Sequence, residues 1–117
     1  MKPFTELTTL QAINECIERH QLVFLYFTTP NCSVCHGLLP QIERILARYP
    51  HIRTARIDAS IAREAAGQFS IFTAPVLLLF VDGKEYIREA RIVHTAQLDK
   101  QIARIYENVV DNSSSTT

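Results

Sequence analysis

Thr29-Pro30-Asn31-Cys32-Ser33-Val34-Cys35-His36 joins two segments of opposite character. Before it lies Leu22-Val23-Phe24-Leu25-Tyr26-Phe27-Thr28, continuously apolar and rich in aromatic residues. That is the signature of a strand covered on both faces, as in a sheet with helices above and below. Thr29-Pro30-Asn31 breaks the strand. From Ser33 onward Leu38, Ile42, Ile45 and Tyr49 fall on one helical stripe. A cysteine pair thus stands where a buried strand passes into the first turn of a helix. This context carries more information than the C-x-x-C spelling alone.

Two intervening residues wound into a helical turn let the two sulfurs approach bonding distance. Cys32 falls at the helix N-terminus, where unpaired N–H groups and the helix dipole favour an anion. The thiolate is the species that attacks a disulfide. Cys35 lies one turn further in and is expected to be buried. The expected cycle begins with Cys32 attacking a disulfide to form a mixed disulfide. Cys35 then attacks Cys32 and releases the reduced substrate, and an outside reductant resets the pair.

Further outward, Thr8 and Gln11 fit a capping box that opens a helix over roughly 9–20, with Leu10, Ile13 and Ile17 on its buried face. Pro40 inside the helix after the cysteines predicts a kink, and Pro50 ends that helix. Ile52 to Asp58 alternates as a strand, and Ser60 is placed to cap a short helix reaching about Gln68. Pro75 opens the strand Val76 to Val81, and Asp82-Gly83 is a two-residue hairpin turn into Lys84 to Val93. Thr95 is placed to cap a last helix with Leu98, Ile102, Ile105 and Val109 on one stripe. Strands linked through helices imply parallel neighbours, with an antiparallel edge added by the hairpin. The reading is an α/β protein, a mixed central sheet flanked by helices on both faces, with a further short strand near Phe4. One domain over 1–110 is expected, followed by a disordered polar tail over 111–117.

Composition narrows the function. Twelve basic residues balance twelve acidic ones, against a nucleic-acid binder or an anionic membrane surface as partner. No run approaches the roughly 20 apolar residues that span a bilayer. The first residues, Met1-Lys2-Pro3-Phe4-Thr5-Glu6, lack an apolar signal core, so the cytoplasm is the expected compartment. Three cysteines do not make a disulfide-stapled secreted fold, and a close pair in a reducing compartment reads as catalytic or metal-binding.

At this point the chain resembles the thioredoxin family over roughly residues 4–109. The strand before the pair, Pro40 five residues after Cys35, and Ala74-Pro75 leading into Val-Leu-Leu-Leu-Phe and Asp82-Gly83 carry the resemblance. It implies the thioredoxin fold and a cis peptide bond before Pro75. It also implies a substrate-docking edge formed by Thr73, Ala74 and Pro75, with Asn31 beside the first cysteine. Partners would be protein disulfide substrates and a reductase or small-thiol recycling partner, with no cofactor and a monomeric chain. The departures are specific. Asn31 replaces the family's Trp, and Ser33-Val34 replaces Gly-Pro. Tyr26 stands where the family has a buried carboxylate that moves the resolving thiol's proton, which bears on the rate of that step. Arg56 stands for a Lys, and Arg91 for a glycine that opens the substrate groove.

Other readings of the same residues stay in view. The pair could be two incidental core cysteines. Cys32 to His36 spells a c-type haem attachment pattern, but the only methionine is Met1 and no secretory route is evident. Cys16 and His20, four apart on a helix, could suggest zinc with Cys32 and Cys35. The intervening strand separates the two sets by about 23 Å, so no metal site is expected. Cys16 reads as a buried inert thiol, Tyr26 as core packing with a bonded hydroxyl, and His36 as a solvated helical residue. The leading function is a thiol–disulfide oxidoreductase acting as a protein-disulfide reductase. The alternative is a redox-sensing or partner-binding module of the same fold with little turnover.

Overall fold

A computed structural model describes the backbone of residues 3–115 and the side chains of residues 3–110. In chain order the elements are β1 (Thr5–Glu6), α1 (Leu10–Arg19), β2 (Leu22–Thr28), α2 (Ser33–Leu46), β3 (Arg53–Asp58), α3 (Arg63–Gln68), β4 (Val76–Val81), β5 (Lys84–Ala90) and α4 (Thr95–Ser115). The strands form one sheet in the order β1-β3-β2-β4-β5. β1, β3 and β2 run parallel, while β4 is antiparallel to both β2 and β5.

The orientation of β4 corrects the expectation that helix-linked strands lie parallel. α3 has six residues and rises only about 9 Å, whereas a strand as long as β3 extends about 20 Å. The chain therefore starts β4 at the end where β3 stopped and runs back. Register places Val76 beside Phe27, next to Thr28, which pairs with Asp58.

Period-two alternation divides the core between the sheet's two faces. Phe24, Tyr26, Leu77 and Leu79 join Cys35, Leu38 and Ile42 of α2 and Leu98 and Ile102 of α4. Val23, Leu25, Phe27, Ala55, Ile57, Leu78 and Phe80 join Ile13 of α1 and Ala65 of α3 on the other face. Both β2 and β4 are buried on both faces, as their unbroken apolar runs require.

Several boundaries differ from the sequence expectation. The N-cap of α1 is Thr9, whose hydroxyl accepts from the Ala12 N–H at 3.1 Å, so the cap falls one residue after Thr8. Ser60 caps nothing, because its N–H and hydroxyl both donate to Asp58. α3 instead starts after Ala62 without a side-chain cap. β5 ends at Ala90, since Arg91 turns into the left-handed region with φ 68°. α2 runs through Pro40 without interruption of the helix. The hairpin is as expected, with Asp82 and Gly83 both at positive φ. The backbone of α4 is helical to Ser115, inside the segment 111–117 read as a disordered tail. The side chains of that segment, and its last two residues altogether, lie outside the described residues.

Candidate active site

The site is built where β2 ends. Thr29 accepts from the Cys32 N–H at 3.3 Å, tightening the turn that delivers Cys32 to the N-cap of α2. Cys32 Sγ then does what a capping oxygen would do: it accepts the Cys35 N–H at 3.1 Å. An N–H aimed at this sulfur, together with the dipole of a 14-residue helix, favours the thiolate when the pair is reduced. Cys32 and Cys35 are joined as a disulfide with Cα atoms 5.2 Å apart. Cys35 is only 1% exposed, whereas Cys32 is half-buried. This is the inequality expected of an attacking and a resolving sulfur.

The segment before β4 leads into Val76, which register sets beside Phe27 near the end of β2. The Ala74–Pro75 peptide bond is cis, as the resemblance implied. Pro75 is buried, Thr73 and Ala74 are half-buried, and Asn31 is exposed. Cys32 and Ala74 pack against the same core cluster as Cys35. The Pro75 carbonyl accepts the Arg91 N–H at 3.1 Å, which draws the end of β5 to the same edge. Arg91 holds there a backbone conformation that glycine adopts at no steric cost.

Beneath the pair, the Tyr26 hydroxyl donates to the Cys35 carbonyl at 2.6 Å. Burial pushes this phenol up to about 12, against the opposing effect of the Arg56 guanidinium, so it stays protonated across the neutral range. A bonded hydroxyl was expected here, but its partner was not. Strand register places Tyr26 beside Arg56, which reaches Glu6 at 3.8 Å. His36 is exposed on α2.

Cys16 is a free, half-buried thiol packed against the α1–α3 face, while Cys35 belongs to the α2–α4 face. The sheet therefore separates Cys16 from the pair. Burial pushes the Cys16 thiol up, although Arg53 opposes this. Among the described residues, no three His, Cys, Asp or Glu side chains group to hold a metal ion.

The sequence model of the thioredoxin family matches residues 4–106 of this chain. The chain belongs to the thioredoxin family. It is 46% identical over 106 residues to the thioredoxin-like protein YdfQ of Bacillus subtilis, an alignment covering 91% of this chain and 95% of that protein. It is 32% identical over 83 residues to the thioredoxin of Chlamydia trachomatis, covering 71% of this chain and 81% of that one. Among solved structures, oxidised thioredoxin from Plasmodium falciparum superposes with TM-score 0.80 at 16% identity, covering 89% and 99% of the two chains. That likeness shows the fold. Family membership and a cysteine pair at bonding distance make this thioredoxin-family chain a thiol–disulfide oxidoreductase.

Proposed function

We propose that the chain works as a cytoplasmic protein-disulfide reductase, with Cys32 as nucleophile and Cys35 as resolving thiol. The observation that carries this reading is the unequal burial of two bonded sulfurs, the outer one capped by the N–H of the inner residue. In the reductive direction, Cys32 thiolate attacks a substrate S–S bond and expels one substrate thiolate, which takes up a proton. Cys35 loses its proton, bonds to Cys32, and the second substrate thiolate leaves and is protonated. Two electrons have passed from the pair to the substrate. A reductase or a small thiol restores the pair by returning two electrons to it, and no cofactor takes part.

Thr73, Ala74, Pro75 and Asn31 form the docking edge in this reading. Around them Phe72 is 87%, Ile92 74% and Val34 59% exposed. An extended segment carrying apolar side chains beside its disulfide suits such an edge. Charge balance supports a partner that is neither nucleic acid nor anionic membrane. No helix among the described residues is long and apolar enough to cross a membrane. The chain is proposed to act as a monomer of 13.3 kDa, which light scattering on the eluting peak tests.

Insulin reduction with dithiothreitol tests the enzymatic reading. The wild-type chain is expected to accelerate precipitation of the insulin B chain, and Cys32→Ser to reduce the rate to the uncatalysed one. Equal rates for the two chains would remove the claim. Arg91 at the docking edge favours a second reading, a binding or sensing module with little turnover. In that case Cys35→Ser traps no mixed-disulfide partners, although the pair still oxidises reversibly.

A further inference from the structure

Both backbone polar atoms of Cys35 are tied to something outside its own helix ladder. Its N–H donates to Cys32 Sγ at 3.1 Å, and its carbonyl accepts from the Tyr26 hydroxyl at 2.6 Å. Tyr26 sits on β2, which is hydrogen-bonded to strands on both sides, and the residue is 0% exposed. Its ring stands edge-on to Phe4, with centroids 6.4 Å apart. The pairing of β2 on both sides, rather than the Phe4 contact, holds the hydroxyl in place.

The first turn of α2 has reason to need one. A helix N-terminus carries N–H groups without intrahelical partners and frays readily. Pro40 aggravates this, because it has no N–H to offer the His36 carbonyl four residues earlier. The helix ladder thus loses a bond one residue beyond Cys35. A hydroxyl rooted in the middle of the sheet and bonded to the Cys35 carbonyl compensates at the neighbouring peptide.

We infer that Tyr26 is a positioning residue for disulfide closure, holding the Cys35 backbone so that its sulfur stays apposed to Cys32. The inference rests on the proposed division between an attacking Cys32 and a resolving Cys35. In closure the Cys35 thiol releases its proton to water and its sulfur bonds to Cys32 Sγ. The Cys32–substrate bond breaks, and the departing thiolate is protonated. The Tyr26 proton stays in its hydrogen bond throughout, so the phenol supplies geometry rather than acid–base chemistry. Holding reacting atoms together accelerates an intramolecular step without changing the reactivity of either atom.

The test separates attack from closure. In a Cys16→Ser background, the reduced protein is mixed with 5,5′-dithiobis(2-nitrobenzoate). Attack by Cys32 releases one coloured thiolate at a rate proportional to reagent concentration. Closure by Cys35 releases a second at a rate independent of it. Tyr26→Phe keeps the ring and removes the hydroxyl. Its concentration-independent phase is expected to slow about three- to tenfold, with the first phase changed less than twofold. Phe4→Leu, which disturbs the ring packing and leaves the hydroxyl, is expected to lower thermal stability without slowing closure.

An unchanged second phase in Tyr26→Phe overturns the inference, as does equal slowing in Phe4→Leu. A Tyr26→Phe chain that does not fold assigns the hydroxyl to stability and overturns it too. Absence of any concentration-independent phase in the wild type would instead strike the underlying division between Cys32 and Cys35.

Discussion

Cys32 and Cys35 are chemically the same residue, and their surroundings make them different. The outer sulfur terminates a helix and receives an N–H, whereas the inner one is enclosed by apolar side chains. Tyr26 brings a titration of its own. Burial raises its phenol, and burial with Asp99 raises that of Tyr49, each to about 12 from an ordinary value near 10. Between about pH 10 and 12 the folded chain holds protons that the unfolded chain has released. Stability is therefore present below pH 10 and falls as pH rises through that window. Urea unfolding from pH 9 to 12 is expected to show this fall, and Tyr26→Phe to remove the Tyr26 share of it. Phe72 belongs to the same scale. Such a large exposed ring beside the proposed docking edge costs solubility and contributes nothing to the core. Phe72→Ser is expected to raise KM for insulin about three- to tenfold while leaving the melting temperature within a degree or two.

Two contacts between elements decide how the site is framed. At the far end of α2, Asp99 of α4 accepts from the Tyr49 hydroxyl at 2.6 Å and pairs with Arg48. Burial pushes the Asp99 carboxyl up, but the Tyr49 and Arg48 hydrogen bonds outweigh it and hold the group below the ordinary carboxylate value. Its stabilising effect is thus present above about pH 4 and is lost as pH falls through the lowered value. Asp99→Ala is expected to cost about 1–2 kcal/mol at pH 7, and less in acid, by denaturant titration. The second contact is the Arg91 N–H to the Pro75 carbonyl, made from a left-handed backbone. Arg91→Gly is expected to stabilise the chain by about 0.5–1 kcal/mol, and Arg91→Ala to give no such gain.

The cysteine junction, the buried strands and the hairpin were legible at this scale because each has a pattern that survives any packing. Other boundaries depended on competition between neighbours. Thr8 and Thr9 can both cap, and in the folded chain it is Thr9 that takes the Ala12 N–H. Ser60 lost its capping role to a local bond with Asp58. The partner of Tyr26 could not be read at all, since it is a backbone carbonyl brought in by the fold.

At the scale of the molecule, the sheet carries chemistry at one end and separates two independent cores. β2 supplies residues to both cores, and its end releases the chain into Cys32. β4 runs back from the same end, so Pro75, distant in sequence, enters the sheet beside the end of β2. The site is therefore a property of topology as much as of motif. The direction of electron flow follows from the potential of the pair, which is lower the more its surroundings favour the bonded over the reduced form. Equilibrating the Cys32–Cys35 pair in dithiothreitol buffers of graded potential, and counting free thiols, reads this directly. A reversible two-electron transition near −270 mV is the expected result. A transition near −120 mV, or a pair that cannot be cycled between bonded and free thiols, would contradict the account.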